Sequence, residues 1–266
     1  MLRKELSKIL KTLSTIRLLF IFFVCAACSS QTSVKVAPVI SKTNFQLKDK
    51  AGVFQLNRES GPISKTKGIY AVKRTIKDGS NKILERSVVI SKLGSLKGKL
   101  SVLRPEKSEY EVWFDAKEYS TKTQIDLKSK SLIVSLNSPE EQWRGTQSIP
   151  FPNNSPIFCY FSQIIECALA TGFIHKAINN GSGAMNFQII WEGYPYIQQQ
   201  YIGLPDEVFS NAVLNFDGEN ANGLRRFSLN INSSNQIIFY QLTKTDEIKA
   251  IYWPAQGLSI GDQGTE

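Results

Sequence analysis

From about Val53 onward, apolar and polar positions alternate over short runs, the period-two pattern of strands with one buried face. Tyr70, Val72 and Ile76 fall in a run that breaks at Asp78-Gly79-Ser80-Asn81, and KILERSVVISKL and KLSVLRP follow it. The stretch from Glu109 to Ser138 holds three more strands: Tyr110, Val112 and Phe114 alternate, as do Ile125 with Leu127, and Leu132 with Val134 and Leu136. Polar turns such as Lys128-Ser129-Lys130-Ser131 separate them, as expected of antiparallel hairpins. Strands resume after residue 178 in MNFQIIWEG, SNAVLNFDG, LRRFSLNIN, QIIFYQLT and EIKAIYW.

Residues 156–178 break this rhythm. Ser155-Pro156 has the form of a helix N-cap followed by proline at the first helical position. Ile157, Phe158, Phe161, Ile164, Ile165, Ala168 and Leu169 then recur with a helical period, and Gly172 can end the helix. Cys159 and Cys167 lie inside this segment. Eight residues of helix rise about 12 Å, whereas a disulfide needs Cα atoms within about 7 Å, so the helix and a Cys159–Cys167 disulfide exclude each other. The pattern favours the helix. Ten or more strands around one helical segment predict a mainly β fold: a curved antiparallel sheet, half-barrel-like, with the helix against its concave face. A β-sandwich or a two-lobed β body is the alternative.

The start of the chain has a different character. Arg3, Lys4, Lys8, Lys11 and Arg17 precede an apolar run, Leu18–Ala27, that is too short for a membrane-spanning helix of about 20 residues. A basic region, a short apolar stretch and small residues at its end describe a secretory signal peptide. Its end, Cys25-Ala26-Ala27-Cys28, resembles the lipobox of bacterial lipoproteins. That resemblance implies cleavage before Cys28, acylation of the Cys28 thiol with a palmitate-type chain, and anchoring in the cell envelope. Ser29 after the anchor implies the periplasmic face of the outer membrane. Cys25 stands where that family carries Leu, Val or Ile, so ordinary secretion and a retained signal anchor stay open.

These readings divide the chain into a signal peptide (1–27), a lipid-anchored tether (28–50), one β-rich domain (51–256) with its helical insert at 156–178, and a frayed tail (257–266). Strand order, a helix after the first half of the sheet and the lipobox together resemble the half-barrel of the periplasmic lipoprotein carrier and its outer-membrane receptor. The resemblance implies a non-enzymatic envelope protein that binds an apolar or amphipathic ligand, or helps handle envelope lipids and lipoproteins. The alternatives are a scaffold for an envelope protein complex and, less favoured, a hydrolase.

Charge sharpens the picture once the signal peptide is removed. Lys plus Arg falls from 32 to 27 and Asp plus Glu from 23 to 22, leaving +5. The segment from Lys65 to Lys107 alone carries +9. Lys73, Arg74, Lys77, Lys97, Lys99 and Arg104 in it form a candidate basic face for anionic lipid, lipopolysaccharide or an acidic protein partner. Solvated outer faces and lysine-protected edge strands explain the same charges without a partner. An exported location argues against nucleic acid.

Motifs for chemistry are few. In GSLKGKLS, residues 94–101, three residues separate the glycines and Leu100 follows Lys99, unlike a phosphate-binding loop. The chain's one histidine, His175, supports neither a triad nor a metal site, and no cofactor is expected. Glu140-Glu141, Asp206-Glu207, and Asp217 with Glu219 sit in turn-like settings rather than as a designed acid pair. Trp113, Trp191, Tyr194, Tyr196 and Tyr201 are candidate ligand-lining aromatics, with core packing as their simpler role.

Overall fold

The computed structural model describes residues 41–64, 67–96, 98, 100–153, 157–232 and 234–262. The signal peptide, Cys28, Lys97, Lys99 and the Ser155-Pro156 cap lie outside these residues. Eight strands come first: β1 (Ser41–Asp49), β2 (Gly52–Ser64), β3 (Ile69–Lys77), β4 (Ile83–Leu96), β5 (Leu100–Phe114), β6 (Lys117–Asp126), β7 (Ser131–Asn137) and β8 (Gly145–Pro150). A short strand, β9 (Phe158–Tyr160), leads into helices α1 (Ile164–Ala170) and α2 (Phe173–Asn180). Then come β10 (Ala184–Ile190), the single-turn α3 (Tyr196–Gln200), β11 (Phe209–Glu219), β12 (Arg225–Ile231), β13 (Gln236–Leu242), β14 (Ile248–Trp253) and β15 (Leu258–Asp262).

All fifteen strands belong to one open, curved sheet, ordered β8-β7-β6-β5-β4-β3-β2-β1-β15-β14-β13-β12-β11-β10-β9. The first half is a meander running outward from β1, and the second a meander running back to β15. The two halves meet at the antiparallel β1–β15 pair, with Leu47 opposite Ile260. Only β9, against β10, pairs parallel. The mainly β, curved antiparallel sheet with a central helical segment is therefore what the chain forms, and neither the sandwich nor the two-lobed body.

Two boundaries differ from the sequence reading. Ser41–Asp49, assigned to the tether, is a central strand, and Leu258–Asp262, assigned to a frayed tail, is its neighbour. Their composition misled. Polar outward residues such as Lys42, Asn44 and Gln46 alternate with only two fully buried positions, Phe45 and Leu47, while the last strand is built on Leu258 and Ile260 among small residues. The turns are legible: Asp49 Oδ1 accepts from Ala51 N at 2.7 Å, and Asp78 Oδ1 from Ser80 N at 2.8 Å and Lys82 N at 3.0 Å. A short carboxylate held to its own backbone turns the chain between strands.

The helical insert also begins later than its apolar period suggests. Phe158, Cys159 and Tyr160 pair with Gln188, Ile189 and Ile190 as a strand, and the α-helix starts only at Ile164. Every residue of α1 is buried. Seven residues make too short a helix to persist alone in water, so α1 is held by the sheet it fills, as expected of a helix apolar on all sides. Cys159 and Cys167 are free, buried thiols rather than a disulfide. Burial, and then the neighbouring Cys159, push the Cys167 thiol well above its usual range. Brief iodoacetamide treatment of the native protein should therefore leave both cysteines unmodified in peptide maps, and unfolding should expose both; rapid native modification would contradict this packing.

The sheet bends until its two ends meet across the interior. Phe151, after β8, packs its ring 4.9 Å from Phe158 and 5.3 Å from Phe209. The Tyr160 hydroxyl lies 3.1 Å from Thr123 Oγ1 on β6, whose neighbour Thr121 donates to the Tyr194 carbonyl at 2.9 Å. The concave face thus becomes a core around α1, built on Phe45, Leu56, Trp191, Leu214, Phe227 and Leu229.

Candidate functional site

Strand parity decides which charges enter this core. On β2, Phe54, Leu56, Arg58 and Ser60 share the inward face, while Gln55, Asn57 and Glu59 face out. Arg58 pairs in register with Arg74 on β3, and Arg74 with Ser87 on β4, so two guanidiniums and a hydroxyl sit side by side on the concave surface. Glu85 lies two residues before Ser87, on the same face.

The opposite wall comes from the helical segment. Arg58 donates to both carboxylate oxygens of Glu166 on α1, at 2.7 and 2.9 Å, and to the Ser162 carbonyl at 3.2 Å. The Arg58 and Glu166 side chains are only 7% and 6% exposed. The Arg74–Glu85 pair is looser at 3.5 Å, though nearly as buried. Glu192, directly after the Trp191 that follows β10, is fully buried and accepts from Ser162 N at 3.1 Å. The next residue must be small: a Cβ on Gly193 would meet the Tyr110 ring at 2.9 Å. Burial raises the Glu192 pKa, against the opposing pull of Arg74 and Ser162.

Glu192 therefore has a signature in solution. An unfolded glutamate releases its proton near pH ~4.3, whereas the native one holds it to higher pH. The native state binds more protons in that window, so this group's contribution to stability falls as pH rises through it. Glu192→Gln keeps the acceptor for Ser162 N and cannot ionise. Melting temperatures of wild type and variant, measured from pH 4 to 8, should diverge in the variant's favour as pH rises; parallel profiles would show that the native carboxyl titrates as the unfolded one does, and would contradict a pKa raised by burial.

Beside these charges lies a mainly apolar cavity of about 60 Å³, bounded by Leu47, Leu56, Arg58, Arg74, Phe161 and Trp253 among others. It has room for a few water-sized groups, well short of the roughly 300–1,000 Å³ of a drug-sized site. Tyr201, stacked 4.8 Å from Trp253, lines it. Tyr201, Leu47 and Leu258 also line a second, more open cleft of about 200 Å³ with Phe54, Trp113 and Phe114.

Of the five aromatics singled out from sequence, Tyr201 and Trp113 line these two spaces. Trp191 is packed solid, its Nε1 donating to Ser210 Oγ at 2.9 Å and its ring 4.6 Å from Phe161. Tyr196 packs on Tyr119 at 5.3 Å and donates to the Trp143 carbonyl at 3.0 Å, and Tyr194 is half-buried. The basic residues divide by parity. Lys73 and Lys77 take the outward positions of β3, but Arg74 points inward to Glu85 and leaves the basic face. Arg104 is exposed and donates to the Ser95 carbonyl. Acids interleave with this outer face: Glu59 pairs with Lys42 at 2.9 Å, and Glu111 with Arg86.

Of the GSLKGKLS stretch, Gly94 closes β4 with Ser95 and Leu96, Leu100 and Ser101 open β5, and Gly98 between the two strands has φ 70°. His175 lies 3.4 Å from Asp246, which also holds Arg225 at 2.9 Å. Glu140 accepts from Tyr119 and Lys117, and Asp217 from Ser228. Among the described residues, no group of three or more His, Cys, Asp or Glu is placed to hold a metal ion, and no helix is long and apolar enough to cross a membrane. The interior charges Arg58, Glu85, Glu166 and Glu192 were not anticipated from sequence. One signal was present for Arg58: it occupies an inward-parity position between Leu56 and Ser60. Comparison with protein-family models, curated proteins and solved structures found no match to this chain.

Proposed function

We propose that this is a non-enzymatic, lipid-anchored protein of the cell envelope, tethered through acylated Cys28, whose curled sheet holds an apolar or amphipathic ligand beneath α1. One observation carries the reading: an apolar cavity under the segment leading into α1, walled on one side by two arginines. Buried guanidiniums are costly to desolvate unless paired and hydrogen-bonded, and of the two Arg74 meets its carboxylate partner Glu85 only at 3.5 Å. Tyr201, shared between the cavity and the open cleft, supplies the route between them. A long ligand reaches the interior by moving Phe161–Ile165 and Tyr201 aside. Lys73 and Lys77 on the outer face, with Arg104, favour approach to an anionic surface such as a phospholipid headgroup layer.

Metabolic labelling with a palmitate analogue tests the anchor. Wild type should label and sediment with membranes, and Cys28→Ala should do neither. An unlabelled wild type, or a labelled variant, would remove the lipid-anchor part of the proposal. Organic extraction of the purified chain followed by mass spectrometry should recover an acyl-chain compound from the same preparation.

A further inference from the structure

Antiparallel strands put successive connections at alternate ends of a sheet. In the first meander one end holds the β2–β3, β4–β5 and β6–β7 connections, and the other holds β1–β2, β3–β4, β5–β6 and β7–β8. The two ends differ in charge. By sequence, the first group contains Lys65, Lys67, Lys97, Lys99, Lys128 and Lys130 and no acid. The second contains Asp78, Asp115, Glu140 and Glu141 against Lys50, Lys82 and Arg144. Lysines that guard a sheet against edge pairing belong on its edge strand, yet the edge strand β8, Gly145–Pro150, carries no charge, and the six lysines lie between strands in mid-sheet.

Apolar side chains share the basic end. Leu127 is 84% exposed, the most of any large apolar side chain among the described residues. Its turn is fixed, because Asp126 accepts from Lys128 N at 2.9 Å and from Ser129 Oγ at 2.8 Å, so Leu127 is held outward. Ile63, 58% exposed, is the extra residue of a bulge between Pro62 and Ser64, a device that re-aims a side chain. Beside Leu127 opens an apolar cleft of about 270 Å³, bounded by Val102, Arg104, Ile125, Phe151 and Phe158 among others. The strand β1 also begins at this end: Ser41 pairs with Ser60, four residues before β2 reaches Ser64. Twelve residues separate Cys28 from Ser41, so a chain acylated at Cys28 is held by the end that carries the lysines.

Apolar tips among lysines suit a lipid interface, where the tips enter the headgroup layer and the basic groups meet its phosphates. Lysine is depleted from protein–protein interfaces, which sets a protein partner second. We propose that this end of the sheet docks on an anionic phospholipid bilayer, with Leu127 and Ile63 in the headgroup layer and Lys67, Lys128 and Lys130 on its phosphates. This deepens the approach to an anionic surface inferred above and names the end that makes it. Two exposed side chains do not hold the body there unaided; the anchor keeps it close and the rim orients it.

The full chain carrying Leu127→Cys is labelled with bimane, an apolar tag in place of an apolar tip. It is mixed with vesicles of phosphatidylethanolamine and phosphatidylglycerol that contain a doxyl-labelled lipid. Ile202→Cys, at a position 78% exposed beside Gln256 at the opposite end, is the matched control. Cys159 and Cys167 are buried and stay unlabelled. Quenching should be severalfold stronger at Leu127 than at Ile202. Phosphatidylcholine in place of phosphatidylglycerol should remove most of the difference. Lys67→Glu with Lys128→Glu should do the same, since each lysine near an anionic surface is worth about fivefold. Both residues hold their turns through backbone N–H groups, which these substitutions keep. Equal quenching at the two positions, or stronger quenching at Ile202, would overturn the docking end. Quenching at Leu127 that ignores lipid charge would overturn an anionic surface as its partner. Palmitate labelling without quenching at Leu127 leaves the anchor standing and overturns the docking; quenching at Leu127 without labelling does the reverse.

Discussion

Arg58→Ala is expected to destabilise the protein by about 3–5 kcal/mol, the usual cost of leaving one member of a buried ion pair behind. The substitution strands Glu166 within a helix whose every residue is buried, and it frees the Ser162 carbonyl as well. Water cannot easily reach Glu166 to compensate, because its side chain is only 6% exposed. Denaturation midpoints in guanidinium should fall accordingly. The double change Arg58→Met with Glu166→Leu, which removes both charges and keeps most of the volume, should recover most of the loss. If the single variant costs less than about 1 kcal/mol, the value typical of an exposed pair, then α1 does not cover the arginine as described.

Deleting residues 258–266 should abolish the cooperative unfolding transition altogether. Leu258–Asp262 is no terminal appendage but the strand that joins the two meanders, bonded to β1 on one side and β14 on the other. Its loss opens two edges in mid-sheet and uncovers Leu47 and Ile251, the neighbours of Ile260. Exposed edges of this kind also template aggregation. Calorimetry and circular dichroism of the truncated chain should show no sharp transition; a native-like melt would contradict the closure of the sheet through β15.

That deletion also marks where sequence reasoning reached its limit. Hairpins such as β5-β6-β7 were legible because Tyr110, Val112, Leu132 and Val134 alternate strictly and polar turns bound them. The joining strands were not, since β1 and β15 meet across more than two hundred residues and each carries only two buried apolar side chains among polar or small ones. No local pattern encodes such a pairing. The helical segment fell between: its period was real for Ile164, Ile165, Ala168 and Leu169, but Phe158 and Cys159 satisfy a strand equally well, and pairing with β10 decided the matter. The site followed the same rule. Tyr201 and Trp113 could be picked out as candidate ligand-lining aromatics, whereas no local pattern marks Glu166 and Glu192 as interior acids; the curl of the sheet alone buries them. Arg74 was misplaced by counting charge along the chain rather than by face, although its alternation with Lys73 was already visible.

The most direct test of the central claim is saturable binding of an apolar fluorescent probe, N-phenyl-1-naphthylamine, to the full chain, combined with hydrogen exchange across Phe158–Ala170. The account predicts one binding site per chain, displaced by dodecanoate, with altered exchange confined to the segment from β9 through α1 and to the loop carrying Tyr201. Probe binding that never saturates, or binding that leaves exchange over Phe158–Ala170 unchanged, would contradict a ligand held beneath α1.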